Sequence, residues 1–182
     1  MQLLEKWNKA INLVAKSTID DAWNRHILDS AQLFPHAAAG NTWADIGSGG
    51  GFPGMVIAIL AKFSRPDLRV TLIEADQRKA VFLREVARAT NTSVKVLSQR
   101  IETVPPLGAD TLSARAFAPL DVMMPYVAQH MATDGVALLP KGSHYSQEVA
   151  NARKLWNFDC EIIPSQTNAE AVILKIQGVR RV

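Results

Sequence analysis

The segment Asp45-Ile46-Gly47-Ser48-Gly49-Gly50-Gly51-Phe52-Pro53-Gly54 carries the strongest chemical signal in the chain, because it crowds five glycines between an apolar run and a helical pattern. Glycines permit positive φ angles and let a ligand approach backbone amides with no Cβ in the way, and Pro53 suits the first turn of a following helix. These are the properties of a loop that cradles an adenosine-containing cofactor. The spacing Gly49-x-Gly51-x-x-Gly54 also satisfies the dinucleotide pattern, so the glycines alone leave a nicotinamide dinucleotide and S-adenosylmethionine both open.

Two carboxylates near this loop bear on the choice. Asp45 stands two residues before the first glycine, at the end of a predicted strand. Its charge there attracts the cationic amino-acid part of S-adenosylmethionine and repels a pyrophosphate. Glu74 closes the next predicted strand, where it can accept hydrogen bonds from ribose hydroxyls in either cofactor family. After a third strand, Gln99-Arg100-Ile101-Glu102 offers backbone amides and a polar side chain to an adenine edge, a solvated loop carboxylate being the alternative for Glu102.

The elements that must hold these groups follow from periodicity. Leu3, Leu4, Trp7, Ile11 and Val14 recur at helical steps, and a second helical pattern from about Asp20, capped by Asp20 or Asp21, carries Trp23, Ile27, Leu28, Ala31 and Leu33 inward until Pro35. Residues 1–40 are therefore expected to form a helical extension packed on a core domain, 41–182. Predicted strands are 42–46, 69–74, 94–97, 111–114, 135–139, 160–163 and 171–177, and predicted helices 53–63, 76–90, 120–131 and 144–157. The stretch 164–170 is too short for a crossover helix, so the last two strands should pair antiparallel. The fold class is α/β, a Rossmann-like seven-stranded sheet with its last strand antiparallel and helices on both faces, preceded by the helical extension.

Bulk properties narrow the class further. The 182 residues, 48% hydrophobic and 20% charged, match one globular unit. Apolar runs such as 55–61 are far shorter than a bilayer span and the first nine residues carry charges, so a cytoplasmic protein without membrane association is expected. One cysteine, Cys160, and four scattered histidines provide no disulfide and no ligand spacing for a metal. The formal charge of +3 mildly favours a polyanionic partner.

Several segments together resemble one family. Asn24-Arg25-His26-Ile27-Leu28-Asp29-Ser30, the loop ending in Gly-Phe-Pro-Gly, Leu72-Ile73-Glu74 with Arg78-Lys79 and Phe82-Leu83, Ser113-Ala114-Arg115-Ala116-Phe117-Ala118, and Lys141-Gly142 occur in the order seen in the bacterial ribosomal RNA small-subunit methyltransferase G family, also called glucose-inhibited division protein B. The resemblance implies a class I methyltransferase fold, S-adenosylmethionine as cofactor, and N7 of a guanine in 16S ribosomal RNA of the small subunit as target. It assigns cofactor contacts to Gly47, Phe52, Glu74, Ile101, Glu102 and Arg115, beside Asp45 and Gly49 of the loop. Arg115, Lys141, His26 and Asn24 are carried over as residues at the cofactor mouth that serve the transfer.

That chemistry needs no catalytic dyad. Guanine N7 holds an in-plane lone pair and no proton, so alignment and exclusion of water are the protein's main tasks. A pyrimidine C5 methylase would need a thiolate, and Cys160 lies in the sixth predicted strand, remote from the loop. An amino-group methylase resembles Asp/Asn-Pro-Pro-aromatic after the fourth strand, where this chain has Arg115-Ala116-Phe117-Ala118. Arg115 and Lys141 are expected to grip O6 or flanking phosphates, since a cation at N7 would oppose the charge that develops there. Lys6, Lys9, Lys16, Arg25, Arg78, Lys79, Arg84, Arg88, Arg180 and Arg181 are candidate RNA contacts, Phe117 a candidate stacking platform, and Trp7 and Trp23 helix-core residues. The expected partner is 16S RNA rather than DNA, met by a monomer. The rival readings are a nicotinamide-dependent oxidoreductase and a non-catalytic RNA-binding or assembly protein.

Overall fold

The computed structural model describes residues 1–182. Its centre is a seven-stranded sheet of β1 (Thr42–Ile46), β2 (Arg69–Ile73), β3 (Lys95–Leu97), β4 (Ala109–Ser113), β5 (Met131–Lys141), β6 (Trp156–Pro164) and β7 (Val172–Arg181), in the order β3-β2-β1-β4-β5-β7-β6. Strands β1 to β5 are parallel, and β7 enters antiparallel between β5 and β6. The helices are α1 (Gln2–Asn8), α2 (Asp29–Ala31), α3 (Gly54–Ser64), α4 (Gln77–Ala89), α5 (Leu120–His130) and α6 (Tyr145–Ala152). None is long and apolar enough to cross a membrane.

Alternation along the strands divides the core between the two faces of the sheet. Trp43, Val70, Leu72, Val136 and Leu138 pack with Met55 and Ile57 of α3 and Phe82 and Leu83 of α4. Ala44, Ile73, Leu112, Ala137 and Leu139 face Leu120, Met123, Met124 and Val127 of α5 and Ala152 of α6. Leu4, Ile11, Ala22 and Leu33 join the first of these clusters, so the segment before β1 lies on the α3 side. The connection after β1 runs to β2 on one side and that after β4 runs to β5 on the other, so a crevice opens at the carboxyl ends of these two adjacent strands.

Several predicted boundaries shift, each for a local reason. The first helix stops at Asn8 instead of running to Val14, because the buried Asn8 Oδ1 accepts from the amides of Leu13 (2.8 Å) and Val14 (3.0 Å). Such side-chain bonds offer the backbone an alternative to the helical ladder. The second pattern is a π-helical turn at Trp23–Leu28 running into α2, with no side-chain cap from Asp20 or Asp21. The wider turn carries His26 and Ser30 inward, the Ser30 hydroxyl donating to the His26 carbonyl (2.6 Å), and leaves Trp23 at 68% and Leu28 at 46% exposure. Trp23 is thus a surface residue and not the core residue expected. The last helix ends at Ala152 rather than near Asn157, since Trp156 and Phe158 are buried and Asn157 and Asp159 exposed, a period of two that begins β6 four residues early.

The register of β7 also separates the basic residues. Val172 pairs with Lys141 at the carboxyl end of β5, whereas Arg180 and Arg181 pair with Asn157 and Trp156 at the far end of the hairpin. Those two arginines therefore lie at the end of the sheet opposite the crevice.

Gly54 is where α3 approaches β1 most closely: a Cβ there would fall 2.5 Å from Asp45 Cβ and 2.5 Å from Leu72 Cδ2. Neither neighbour is free to move, both being 0% exposed. Gly54→Ala is expected to lower the unfolding free energy by about 1–3 kcal/mol through overpacking, read from the urea midpoint; an unchanged midpoint would contradict this packing.

Candidate active site

The glycine loop leaves β1 and folds over the carboxyl ends of β1 and β2. Gly47 has a φ of 66° and its Cα faces Phe117, so that a Cβ would meet the Phe117 ring at 2.3 Å. A side chain at position 47 is excluded both by backbone conformation and by contact. The Gly49 amide donates to Glu74 Oε2 (2.7 Å) while the Asp76 amide donates to Glu74 Oε1 (2.7 Å). Glu74 is thereby fixed at the cavity wall, and Asp76 goes on to cap α4 by accepting from the Arg78 amide (2.8 Å).

A cavity of about 350 Å³ lies against this loop, lined by Gly47, Gly49, Phe52, Glu74, Ile101, Arg115 and Phe117 among others. A second, of about 690 Å³, adjoins it and is lined by Arg25, His26, Asp29, Lys141, Glu148 and Thr167 among others. Leu13, Arg115, Ala116 and Phe117 line both and form the partition. Ala116 adopts a φ of 51°, unusual for a residue with a side chain, where the β4–α5 loop turns Phe117 back over Gly47. The Phe117 ring also meets Tyr126 edge-on, with centroids 6.1 Å apart, and remains 40% exposed.

Arg115 is the most connected side chain of the partition. Its Nη1 donates to Asp29 Oδ2 (2.9 Å) and the Arg25 carbonyl (3.2 Å), its Nη2 lies 3.1 Å from His26 Nδ1, and its Cζ lies 5.2 Å from the Phe52 ring centroid. His26 stacks on Phe52 at 5.1 Å. Because a guanidinium can only donate, His26 Nδ1 must accept, which puts the imidazole proton on Nε2. Nε2–H then donates to Thr18 Oγ1 (2.7 Å), whose own hydroxyl donates to the Ala15 carbonyl (2.7 Å). Burial, followed by the Arg115 charge, pulls the His26 pKa down to about 4, so the ring beside the guanidinium is neutral.

The remaining sequence-predicted residues divide between the cavity walls and positions behind or outside them. Asp45 is fully buried beneath the loop: its Oδ1 accepts from Ser113 Oγ (2.6 Å), itself bonded by Trp43 Nε1 (2.8 Å), while Oδ2 lacks a well-formed hydrogen bond. Burial pushes its carboxyl up to about 6 against the opposing bond from Ser113. Ile101 lines the first cavity, but Glu102 turns outward to Arg100 (3.5 Å) and Tyr126 Oη (3.3 Å). Asn24 lines neither cavity. Lys141 lines the second, with Nζ held by the Ala118 carbonyl (2.8 Å) and Glu148 Oε2 (2.7 Å), and Glu148 also accepts from the Leu120 amide (2.8 Å). This ties the β4–α5 loop to β5 and α6.

Of the expected RNA-contact cations, Arg25 lines the second cavity and Lys79 the first, neither in an ion pair, whereas Arg78 is paired with Asp76. No sequence pattern marks Thr18, Asp29, Glu148 or Thr167 as site residues. Asp29 lies within the Asn24–Ser30 motif, but nothing local connects it to Arg115, 86 positions away.

The fold and the loop over it define the class I S-adenosylmethionine-dependent methyltransferase architecture. A TehB-like S-adenosylmethionine-dependent methyltransferase from Corynebacterium glutamicum superposes with a TM-score of 0.66 at 12% identity, covering 96% of this chain and 97% of that one. A methyltransferase of the same dependence from Aquifex aeolicus gives 0.65 at 12% identity over 88% and 95%. The family model described as rRNA small subunit methyltransferase G, GidB, matches residues 1–173. A ribosomal RNA small subunit methyltransferase G from Ruegeria sp. (strain TM1040) is 53% identical over 181 residues, spanning 100% of this chain and 88% of its own length. One from Cereibacter sphaeroides (strain ATCC 17023) is 49% identical over 99% and 88%. The chain belongs to the rRNA small subunit methyltransferase G family.

Asp45 and His26 act on stability in opposite senses over nearly the same pH range. The Asp45 carboxyl titrates near 3.8 when unfolded and about 6 when folded, so its ionisation costs stability as pH rises through that window. His26 costs stability as pH falls from 6.5 toward 4, because the unfolded chain takes up the proton first. Asp45→Asn is therefore expected to gain on the parent by up to roughly 3 kcal/mol as pH rises from about 4 to 7, measured by urea unfolding of both proteins. An equal difference at both pH values would remove burial as the cause.

Proposed function

We propose that this protein transfers the methyl group of S-adenosylmethionine to N7 of a guanine in 16S RNA of the small ribosomal subunit. The observation that carries the reading is the pair of adjoining cavities with Arg115, Ala116 and Phe117 as common wall. The first takes the cofactor and the second admits the base. Family membership supports the methyltransferase activity and the ribosomal RNA substrate.

The first cavity fits that cofactor in shape and donor set. Glu74, its carboxylate held by the Gly49 and Asp76 amides, retains lone pairs for ribose hydroxyls. Ile101 supplies an apolar surface for adenine, and Gly47 and Phe52 line the same cavity. Asp45 supports the loop from below and places a carboxyl under the cationic end, acting through the loop rather than at the cavity surface. When bound, the cofactor supplies an electrophilic methyl group on a sulfonium.

Guanine N7 needs no base to attack such a methyl, so the residues of the second cavity orient the purine and exclude water. Three Arg115 N–H groups are bonded to Asp29, Arg25 and His26, which leaves the Nε–H and one Nη2–H for O6 or a phosphate. Lys141 and Glu148 keep the β4–α5 loop closed on the partition, so Lys141 serves the transfer by holding Phe117 and Arg115 in place. Arg25, exposed at the second cavity, is the cation free to meet the RNA backbone. Residues 1–40 form an extension that supplies His26, Asp29 and Arg25 to this wall, with Asn24 beside them.

Purified protein incubated with methyl-labelled cofactor and small subunits lacking the modification should label one guanine, assigned to N7 by mass spectrometry. Arg115→Ala should remain folded and lose transfer by on the order of 100-fold or more. Label on an exocyclic amine, or none with the parent protein, would refute the assignment.

A further inference from the structure

Arg115 is positioned from outside its own loop, by a carboxylate that binds in two directions. Asp29 Oδ2 accepts from Arg115 Nη1 at 2.9 Å. Asp29 Oδ1 accepts from the Thr167 hydroxyl (2.8 Å) and from Gln32 Nε2 (3.0 Å), while Gln32 Oε1 accepts from the Gln166 amide (2.8 Å). One side chain of α2 therefore joins the partition between the cavities to the tip of the β6–β7 hairpin. Thr167, Asn168 and Ala171 of that tip line the second cavity together with the partition. The paired Arg115 and Asp29 side chains are only 17% and 18% exposed, so their attraction is poorly screened.

The charge of the pair matters to the reaction as well as its geometry. Methylation at N7 makes the purine cationic, and an unopposed guanidinium at the partition would resist that change. Bonded to Asp29, Arg115 presents its two remaining N–H donors with its charge opposed by a carboxylate. The neutral His26 adds a second restraint on the same guanidinium without adding charge.

We propose that Asp29 is a positioning residue for methyl transfer, which orients and charge-compensates Arg115 and couples it to the hairpin tip 165–171, a wall that sets which RNA segment enters the second cavity. The proposal rests on the reading that this cavity admits the target base. Loss of the Asp29 charge then impairs the transfer step itself, whereas loss of the Thr167 bond impairs substrate engagement.

The test uses the full chain with small subunits lacking the modification, labelled S-adenosylmethionine, calorimetry with S-adenosylhomocysteine, and nitrogen-15 arginine spectra in which Arg115 is assigned through Arg115→Lys. Asp29→Asn is expected to lower kcat by about tenfold or more while changing S-adenosylhomocysteine affinity less than about threefold, as removal of an interaction specific to the transfer step requires. Its Arg115 Nη resonances should merge as the guanidinium is freed to rotate. Thr167→Val, which leaves the Arg115 pair in place, should raise KM for the subunit about threefold and lower kcat less than Asp29→Asn does. An unchanged kcat in Asp29→Asn, or a cofactor affinity that falls in proportion to it, would overturn the proposal. Should Asp29→Asn fail to fold, an unchanged KM in Thr167→Val overturns it alone. Absence of transfer by the parent protein would instead reject the substrate reading, while the arginine spectra of Asp29→Asn still decide whether the carboxylate holds Arg115.

Discussion

The Gly49 amide must come within hydrogen-bonding distance of the Glu74 carboxylate for the cofactor crevice to exist. That 2.7 Å bond joins the loop after β1 to the end of β2, and the same carboxylate receives the Asp76 amide that begins the approach to α4. A two-amide grip on a carboxylate is charge-assisted and short, so one side chain fixes the loop, the cavity wall at Glu74 and the entry to a helix together. The loop can reach that position only because α3 starts at a glycine against β1, where Asp45 Cβ and Leu72 Cδ2 leave no room for a side chain.

Asp45 lies at the centre of this packing and is held there at an electrostatic cost. Its carboxyl is wholly buried, has one short bond from Ser113, and is raised to about 6 by desolvation. An apolar residue of similar size would avoid that cost. The His26 ring shows the complementary design: burial and the Arg115 charge keep it neutral, which lets it accept a hydrogen bond from a guanidinium instead of repelling it.

The second cavity depends on contacts between segments far apart in the chain. Arg115 comes from the loop after β4, Asp29 and His26 from the segment before β1, Lys141 from the end of β5, and Thr167 from the closing hairpin. Each pair is held by one or two hydrogen bonds between partly buried groups, the regime in which loss of one partner leaves the other unsatisfied. The partition is thus built from polar side chains, while the two apolar clusters on the faces of the sheet supply the rigid frame behind it.

The sequence alone determined what short-range physics controls. The five-glycine loop after an apolar run, the acidic residue closing β2, the alternation of strands and helices and the polar stretch 164–170 that forbids a crossover were legible because each is a local pattern of conformation or polarity. Gly-Phe-Pro-Gly and Arg-Ala-Phe-Ala carried the family resemblance for the same reason. The tertiary structure decided which polar groups meet. A helical stripe cannot reveal that Asn8 will bond two later amides and end the helix, or that a π-turn will bury His26 and expose Trp23. Nor does any spacing announce that Asp29 serves Arg115 or that Glu102 faces outward to Tyr126, because hydrogen-bond partners chosen across 86 or 24 positions are set by how the sheet brings its loops together, and not by any pattern local to either residue.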